Sequence, residues 1–335
     1  MTPGNETISV IIPVLNGSRT LRKTLQTIRE QKDFDFEIVV VDDGSSEDIT
    51  ALVREMGARF HRLPETRGPA TARTEGAKIA EGEILLFTDS DVWLPTGALA
   101  KIRKTFAQHD CECVQGTFSK NCPHSNFFSQ YKNLYNRYVL GLLGPWIDTT
   151  YTSITAVKKQ FFFESEGFDL NIRGASVEDR TLGENLTASG GKIYLDHSLE
   201  VVHNKRLSMG GFLRSQYKRS RDLAKLMLRQ RESGFLGKGA SFGTNTKGAM
   251  LRLPFALGTL FFLIVGLGFA WSLFGAGVCL VLYLGLSRKW IAHLAREKGI
   301  AFALRGQIAD FADAVISGIG VLIGTIEYKC LGKRY

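Results

Sequence analysis

Ile84-Leu85-Leu86-Phe87-Thr88-Asp89-Ser90-Asp91 is the stretch whose reading decides the fold. Four apolar residues in a row read as a buried strand, and a buried strand that ends in bare negative charge needs a partner for that charge. Asp89 and Asp91 lie two residues apart, so at an extended strand end both side chains point to one side. Two carboxylates held together repel and lose hydration unless a cation lies between them. Oxygen ligands at this spacing suit Mg²⁺ or Mn²⁺, which bind one or two carboxylates together with substrate phosphates. A polar turn after a strand is the plain alternative for an isolated Asp-Ser-Asp, so its surroundings have to decide.

Working outward, apolar runs alternate with helical patterns. Ile8–Pro13 reads as a first strand, and Leu21, Leu25 and Ile28 follow at i, i+4 and i+7 as a helix stripe. Glu37–Asp42 is a second strand whose β-branched centre, Ile38 to Val41, suits burial on both faces. Ser45-Ser46-Glu47-Asp48 reads as a capping box opening a second helix. Phe60–Leu63 is a short third strand, Ala70–Ala80 a helix and Glu83–Thr88 the fourth strand. This order predicts an α/β fold with a mostly parallel, Rossmann-like sheet. Ligands of such sheets bind beyond the carboxyl ends of the strands. Pro13-Val14-Leu15-Asn16, Asp42-Asp43-Gly44-Ser45 and Asp89-Ser90-Asp91 all fall on that edge. No Gly-x-Gly-x-x-Gly follows the first strand and no Gly-Lys-Ser/Thr is present, which disfavours the dinucleotide and P-loop versions of this architecture.

Taken in order, Val10 to Asn16, Val40 to Ser45, Arg67-Gly68-Pro69-Ala70-Thr71-Ala72-Arg73 and Thr88 to Asp91 resemble the family 2 glycosyltransferases of the GT-A fold. Thr152–Gln160 with Glu166-Gly167-Phe168-Asp169 is similar to the acceptor-side segment of that family, which usually reads Gly-Gly-Phe-Asp. Val177 to Leu182 is similar to its Glu-Asp motif, and His203 sits where many members carry a late histidine. The resemblance covers roughly residues 8–220. It implies a nucleotide-sugar-binding GT-A domain in which Pro13, Val14 and Asp43 line the base pocket with Asp42 beside them. Arg67 would lie near the base or the phosphates. Ser90 would belong to the donor site, Asp89 would reach ribose or metal, and Asp91 would be the principal metal ligand. Asp179 would be the catalytic base, helped by Glu178, and His203 a further ligand of metal or phosphate. Gln216-Tyr217-Lys218-Arg219-Ser220 is similar to the Gln-x-x-Arg-Trp motif of processive members, with Gln216 and Arg219 toward acceptor or phosphate. Ser220 replaces the tryptophan, which favours a single sugar transfer.

The chemistry agrees with these residue types. A divalent cation neutralises the charge that develops on a departing nucleoside diphosphate, and a carboxylate takes the proton of the attacking hydroxyl. No nucleophilic Ser or Cys sits in an activating arrangement, so single displacement with inversion is expected. The rival readings are a nucleotidyltransferase, which would attack the α-phosphate, and an inactive scaffold of the same fold. The Glu-Asp pair and the Gly-Phe-Asp segment favour transfer of a sugar. As an alternative role, Glu178-Asp179 is a carboxylate pair favoured at a helix N-terminus.

The C-terminal part reads differently. Residues 1–210 form the expected catalytic domain, 211–248 a basic amphipathic helix and linker, and 249–335 membrane-associated transmembrane or interfacial helices. Leu253–Leu286 is a run of 34 residues without a basic side chain. As one helix it would measure about 50 Å against a hydrocarbon core of ~30 Å, so a turn near Trp271–Gly275 and two short helices are expected. Phe311–Tyr328 is bracketed by Asp313 and Glu327 and reads as too short for a third full crossing, with Gly320 and Gly324 as a small-xxx-small pair. Gly211–Arg231 places Phe212, Leu213, Tyr217, Leu223, Met227 and Leu228 toward lipid or the catalytic domain. Its basic residues face anionic headgroups, a pyrophosphate-linked lipid acceptor or solvent. Gly234–Gly248 reads as a flexible linker.

Basic residues from Arg288 to Arg305 place the catalytic domain and this connector on the cytoplasmic side of the cell (inner) membrane, where the acceptor would be a lipid-linked molecule or a cell-envelope glycan. The net charge of +9 fits a bilayer partner better than nucleic acid, because no RNA-binding aromatic motif accompanies the basic residues. Met1–Thr7 has no apolar core of a signal peptide. Five cysteines are expected as thiols, and Cys111, Cys113, Cys122 and His124 are poorly spaced for zinc.

Overall fold

The computed structural model describes residues 6–31, 35–232 and 247–333. The expected alternation is present in β1 (Ile8–Val14), α1 (Ser18–Arg29), β2 (Phe36–Asp42), α2 (Thr50–Glu55), β3 (Arg59–Arg62), α3 (Pro69–Ile79) and β4 (Ile84–Phe87). These strands lie parallel in the order β3-β2-β1-β4. Alternation along β1 divides the core. Ile8, Val10, Ile12 and Val14 pack with Leu21, Leu25 and Ile28 of α1 on one face. Ile11 packs with Val39, Val41, Leu85 and Phe87 on the other. There α3 lies close on the sheet because Gly76 carries no side chain: a Cβ would stand 2.5 Å from Ile11 Cγ2 and 3.1 Å from Val41 Cγ2.

The capping box is not formed. Ser45 Oγ accepts from the Asn16 amide at 2.9 Å, and Glu47 accepts from Ser18 N at 2.8 Å and Ser18 Oγ at 2.6 Å. The polar run therefore secures the start of α1 across the sheet edge, and at the start of α2 only Asp48 Oδ1 accepts, from Thr50 N at 2.8 Å. The residue types fitted a local cap, but the neighbouring helix start competes for the same acceptors.

Past Asp91 the elements are β5 (Val92–Trp93), α4 (Ala98–Gln108), β6 (Cys113–Phe118), α5 (Phe127–Gly141), β7 (Trp146–Ile147), β8 (Thr155–Lys158), α6 (Lys159–Glu164), α7 (Glu178–Ala188) and β9 (Ile193–His203). They extend the sheet as β4-β8-β6-β9-β5, with β7 also on β9. The sheet is thus mixed: β8 runs antiparallel to both β4 and β6. Two of its pairings bring distant residues to the acidic turn. Phe87 lies opposite Thr155, so residues just before β8 adjoin the turn after β4. Val92 lies opposite His203, so the late histidine stands beside the same turn.

The chain divides into two compact units, Met1–Arg206 and Leu207–Tyr335. The second contains α8 (Met209–Glu232), α9 (Lys247–Gly266), α10 (Ser272–Lys298) and α11 (Ile300–Leu331). Most of the expected linker, residues 233–246, lies outside the described residues. The apolar run is broken as expected, although the break, residues 267–271, falls a few residues before the expected turn. Ser272 Oγ closes it by donating to the carbonyls of Phe269 at 2.9 Å and Phe262 at 3.0 Å. Both α10 and α11 are long and apolar enough to cross a membrane.

The reading of Phe311–Tyr328 as a short segment is corrected, for it belongs to a continuous helix of 32 residues. Its polar positions do not end the helix because they are paired within the unit. Asp310 accepts from Arg252 at 2.6 and 2.8 Å and from the Tyr283 hydroxyl at 2.5 Å. Asp313 accepts from Gln216 at 2.7 Å and from Ser317 at 3.0 Å. Gly320 and Gly324 do receive another helix. A Cβ on Gly320 would stand 2.7 Å from the Tyr217 carbonyl of α8, and Gly324 meets the Arg221 carbonyl. In the same contact Lys225, read from the sequence as part of the basic face, is buried and pairs with Glu327 at 2.5 Å.

Candidate active site

The acidic turn leaves β4 with Val92 N bonded to Asp89 O at 3.1 Å, and Asn204 N bonded to Asp91 O at 2.7 Å ties the end of β9 to it. Asp89, Asp91 and His203 consequently offer ligand atoms within 4.8 Å of one another. They are the one such group of three among the described residues. Phe118 stacks on the His203 ring at 5.6 Å and fixes its plane. His203 Nε2 lies 3.3 Å from Asp91 Oδ1 but off the line of a hydrogen bond, so a buried ring nitrogen has no hydrogen-bond partner. Burial pushes the Asp91 carboxyl up, and the His203 ring and the Lys205 ammonium more than offset this and hold it below the ordinary aspartate value. Two carboxylates and an orphaned imidazole nitrogen fit a divalent cation such as Mn²⁺ or Mg²⁺. Cys111 and Cys113 are buried, and the Cys122 thiol faces the His124 carbonyl, so that stretch gathers no such set.

Behind this turn stands a residue that sequence reasoning did not assign. Arg73 of α3 is 4% exposed and donates from Nη2 to Asp89 Oδ1 at 2.7 Å. Its Nη1 lies 3.6 Å from Glu178 Oε1 and 4.0 Å from Asp179 Oδ1, at the start of α7. One guanidinium therefore links the acidic turn to the Glu-Asp pair. The signal was present in the sequence: Ala70, Arg73, Ala77 and Ala80 fall on one helical face, and an arginine among core alanines needs charged partners. Glu178 is buried, accepts from Ser176 N at 2.6 Å, and has its carboxyl raised to about 7 by burial and by the charge of Asp179, against the pull of Arg73. Asp179 is more open, with 30% of its side chain exposed.

The segment before β8 serves both acidic groups. Ser153 Oγ donates to Asp89 Oδ2 at 2.7 Å, while Thr152 Oγ1 donates to Asp179 Oδ1 at 2.9 Å and Thr150 Oγ1 to the Asp179 carbonyl at 2.5 Å. Gln115, buried in β6, holds this segment. Its Oε1 accepts from Tyr151 N and Thr155 Oγ1, both at 2.8 Å, and its Nε2 donates to the Ile154 carbonyl at 2.9 Å. Nothing in the sequence marks Gln115, because its role depends on the antiparallel partner.

The expected nucleotide side is also assembled. Val14 O accepts from Asp43 N at 2.8 Å, joining the ends of β1 and β2, with Pro13 in the preceding turn of the strand. Asp42 accepts from Ser45 N at 2.9 Å and lies 3.4 Å from Arg62 Nε. Asp43 uses one oxygen for Arg67 N at 2.8 Å and the other for Gly68 N at 2.9 Å. It thus anchors the loop that leads into α3, and the Arg67 side chain pairs with Glu65 at 3.1 Å. Ser90 lies against Gly17, where a Cβ would come 3.0 Å from its Oγ, and its carbonyl accepts from Thr24 at 3.0 Å. Gln216 and Arg219 belong to the second unit. There Gln216 is bonded to Asp313, and Arg219 is exposed.

Comparison with known proteins fits this geometry. The pattern described as "Glycosyl transferase family 2" matches residues 9–168. The uncharacterized glycosyltransferase YfnE of Bacillus subtilis is 29% identical over 183 residues, 52% of this chain and 46% of that protein. Glycosyltransferase GlyA of Streptococcus pneumoniae is 28% identical over 222 residues, 61% of this chain and 32% of that protein. The chain therefore spans less than half the length of these curated relatives. Among solved structures, the mannosyltransferase PcManGT from Pyrobaculum calidifontis, in complex with GDP-Man and Mn²⁺, superposes with a TM-score of 0.58 at 18% identity. The match covers 97% of this chain and 88% of that one, a likeness of fold. Residues 9–168, just under half of the chain, match glycosyl transferase family 2, and the fold is that of the GT-A proteins.

Proposed function

We propose that this protein transfers one sugar, with inversion, from a nucleotide-diphosphate sugar to the hydroxyl of a lipid-linked or glycan acceptor at the cytoplasmic face of a membrane. The observation that carries the reading is the cluster of Asp89, Asp91 and the unpartnered His203 Nε2, joined through Arg73 to the carboxylates of α7. Those three residues would hold Mg²⁺ or Mn²⁺, and a bound cation would supply Lewis-acid neutralisation of the leaving diphosphate. The GDP-Man and Mn²⁺ held by the Pyrobaculum mannosyltransferase support this donor class.

The chain's own residues account for the rest. Pro13, Val14, Asp42, Asp43, Arg67 and Ser90 border the donor, with Asp43 keeping the Arg67-Gly68 loop against the ends of β1 and β2. Asp179 is the base. Thr152 occupies its Oδ1 and orients the carboxylate, which leaves Oδ2 to take the acceptor proton. Glu178 is too enclosed to meet an acceptor and acts through its charge. The long apolar helices α10 and α11 support attachment to the inner membrane.

A thermal-shift screen of nucleotide-diphosphate sugars with and without Mn²⁺ tests the reading. A base-selective shift that needs the ion is expected, since a ligand of the folded state stabilises by mass action. Equal shifts with and without Mn²⁺ for every donor would sink it.

A further inference from the structure

We propose that Arg73 is a positioning residue that couples the two acidic halves of the site, holding Asp89 at the metal turn and the Glu178–Asp179 pair at the start of α7 through one buried guanidinium; this rests on the proposed function of the site. The charged groups that face it are Asp89 from the turn after β4 and Glu178 and Asp179 from α7, three carboxylates around one cation. The Phe168 ring lies 5.8 Å from the guanidinium carbon, and Thr152 and Ser153 bond the carboxylates rather than the arginine. Only Nη2 is hydrogen-bonded. Nε and Nη1 are buried without hydrogen-bond partners, so Nη1 acts on α7 by charge at 3.6 and 4.0 Å. A buried arginine that left two donors unbonded for the sake of packing would be a poor structural choice. As a charge placed between two acidic sites it serves a purpose.

The arrangement has two consequences of opposite sign. Toward α7, the guanidinium offsets the repulsion between two adjacent carboxylates, and without it two anions at the start of that helix are disfavoured. Toward the metal turn, the same positive charge opposes a second cation beside Asp89. Asp89 keeps a second tether when Arg73 is removed, because Ser153 holds its other oxygen at 2.7 Å. Loss of the guanidinium should therefore slow transfer and tighten Mn²⁺. A residue needed only for packing would weaken both.

The test compares the full-length wild type with Arg73→Met, Arg73→Lys and the double variant Arg73→Met/Glu178→Gln. It reads Mn²⁺ affinity by electron paramagnetic resonance without donor, and kcat and donor KM from pH 5.5 to 9. For Arg73→Met we expect kcat at pH 7 to fall by about 100-fold, the lower end of what loss of a working general base costs. The acid limb of its profile should move up, and Mn²⁺ should bind several-fold tighter. The double variant removes one anion with the cation and should recover ten-fold or more of the lost kcat. Arg73→Lys should keep the wild-type limb. Mn²⁺ binding weakened in step with kcat, an unmoved acid limb, or a double variant no faster than Arg73→Met would each overturn the proposal. Should Arg73→Met fail to fold, the limb and Mn²⁺ affinity of Arg73→Lys and the double variant decide. A wild type that transfers no sugar but shows the expected Mn²⁺ changes would discredit the functional reading and leave the coupling intact.

Discussion

Glu178→Gln isolates the charge buried at the start of α7. The Glu178 carboxyl is raised from its ordinary 4.5 to about 7, chiefly by burial and then by Asp179, against the pull of Arg73. Between these two values the folded chain holds a proton that the unfolded chain has released, so stability falls as pH rises. The contribution is complete below about pH 4.5 and is lost as pH passes through 7. A shift of this size corresponds to about 3 kcal/mol at ~1.4 kcal/mol per unit. Glutamine keeps the acceptor for Ser176 N and carries no charge, so it lacks this dependence. Urea unfolding of metal-free protein in detergent micelles, wild type against Glu178→Gln at steps from pH 4.5 to 8, measures the difference directly. Groups that titrate in both proteins cancel. The variant should gain about 3 kcal/mol on the wild type across that range, most of it between pH 5 and 7. A difference that stays flat would refute the claim that burial and Asp179 push the Glu178 carboxyl up.

Asp91→Asn should abolish Mn²⁺-dependent transfer while leaving circular dichroism and membrane partition unchanged; normal turnover would remove Asp91 from the metal site. His203→Ala should weaken Mn²⁺ about 10–100-fold by equilibrium titration, the range found when groups supporting a metal are removed. Unaltered affinity there would mean that the unpartnered nitrogen has another use. Asp179→Asn should lower kcat by ~10²–10⁴-fold with donor affinity retained, and donor binding that falls in step with rate would argue for a role in binding instead. Gly320→Leu drives a side chain into the Tyr217 carbonyl and should cost about 1–3 kcal/mol, read as faster proteolysis within α8. Wild-type resistance would mean that α8 and α11 are not packed through this face.

The parallel half of the sheet was legible because β1, β2 and β4 are buried on both faces and announce themselves as unbroken apolar runs. Asp89 and Asp91 stood out for a related reason, as carboxylates at the end of such a run, whereas His203 was picked out by the family resemblance. The mixed half was not. Thr155–Lys158 is only four residues long, and its antiparallel direction depends on β4 and β6, which lie far away in sequence. Gln115 and the Thr150–Ser153 segment were hidden with it. The Ser45–Asp48 run misled because a cap and a cross-loop brace use the same side chains. Asp313 misled because an acidic residue in an apolar stretch suggests an end, whereas it has a partner on the neighbouring helix α8.

The antiparallel strand is also what turns a nucleotide-binding sheet into a two-sided site. A parallel βαβ sheet gathers its loop ends at one edge, and that suffices to bring the turns after β1, β2 and β4 to that edge. It does not supply a base on the far side of a donor. Because β8 runs the other way, the residues that precede it, rather than those that come after it, arrive beside Asp89. Thr88 Oγ1 bonds the Ser153 carbonyl at 3.0 Å, and the chain then offers Ser153 to the metal turn and Thr152 and Thr150 to α7. One short turn thus spans from one acidic group to the other on its hydroxyls, and Arg73 spans the same gap by charge. Hydroxyls fix where the carboxylates point, while the guanidinium offsets the repulsion among them. Losing either link leaves the other in place, which is why a hydroxyl variant such as Thr152→Val should slow transfer without moving the acid limb, whereas changes at Arg73 should move it.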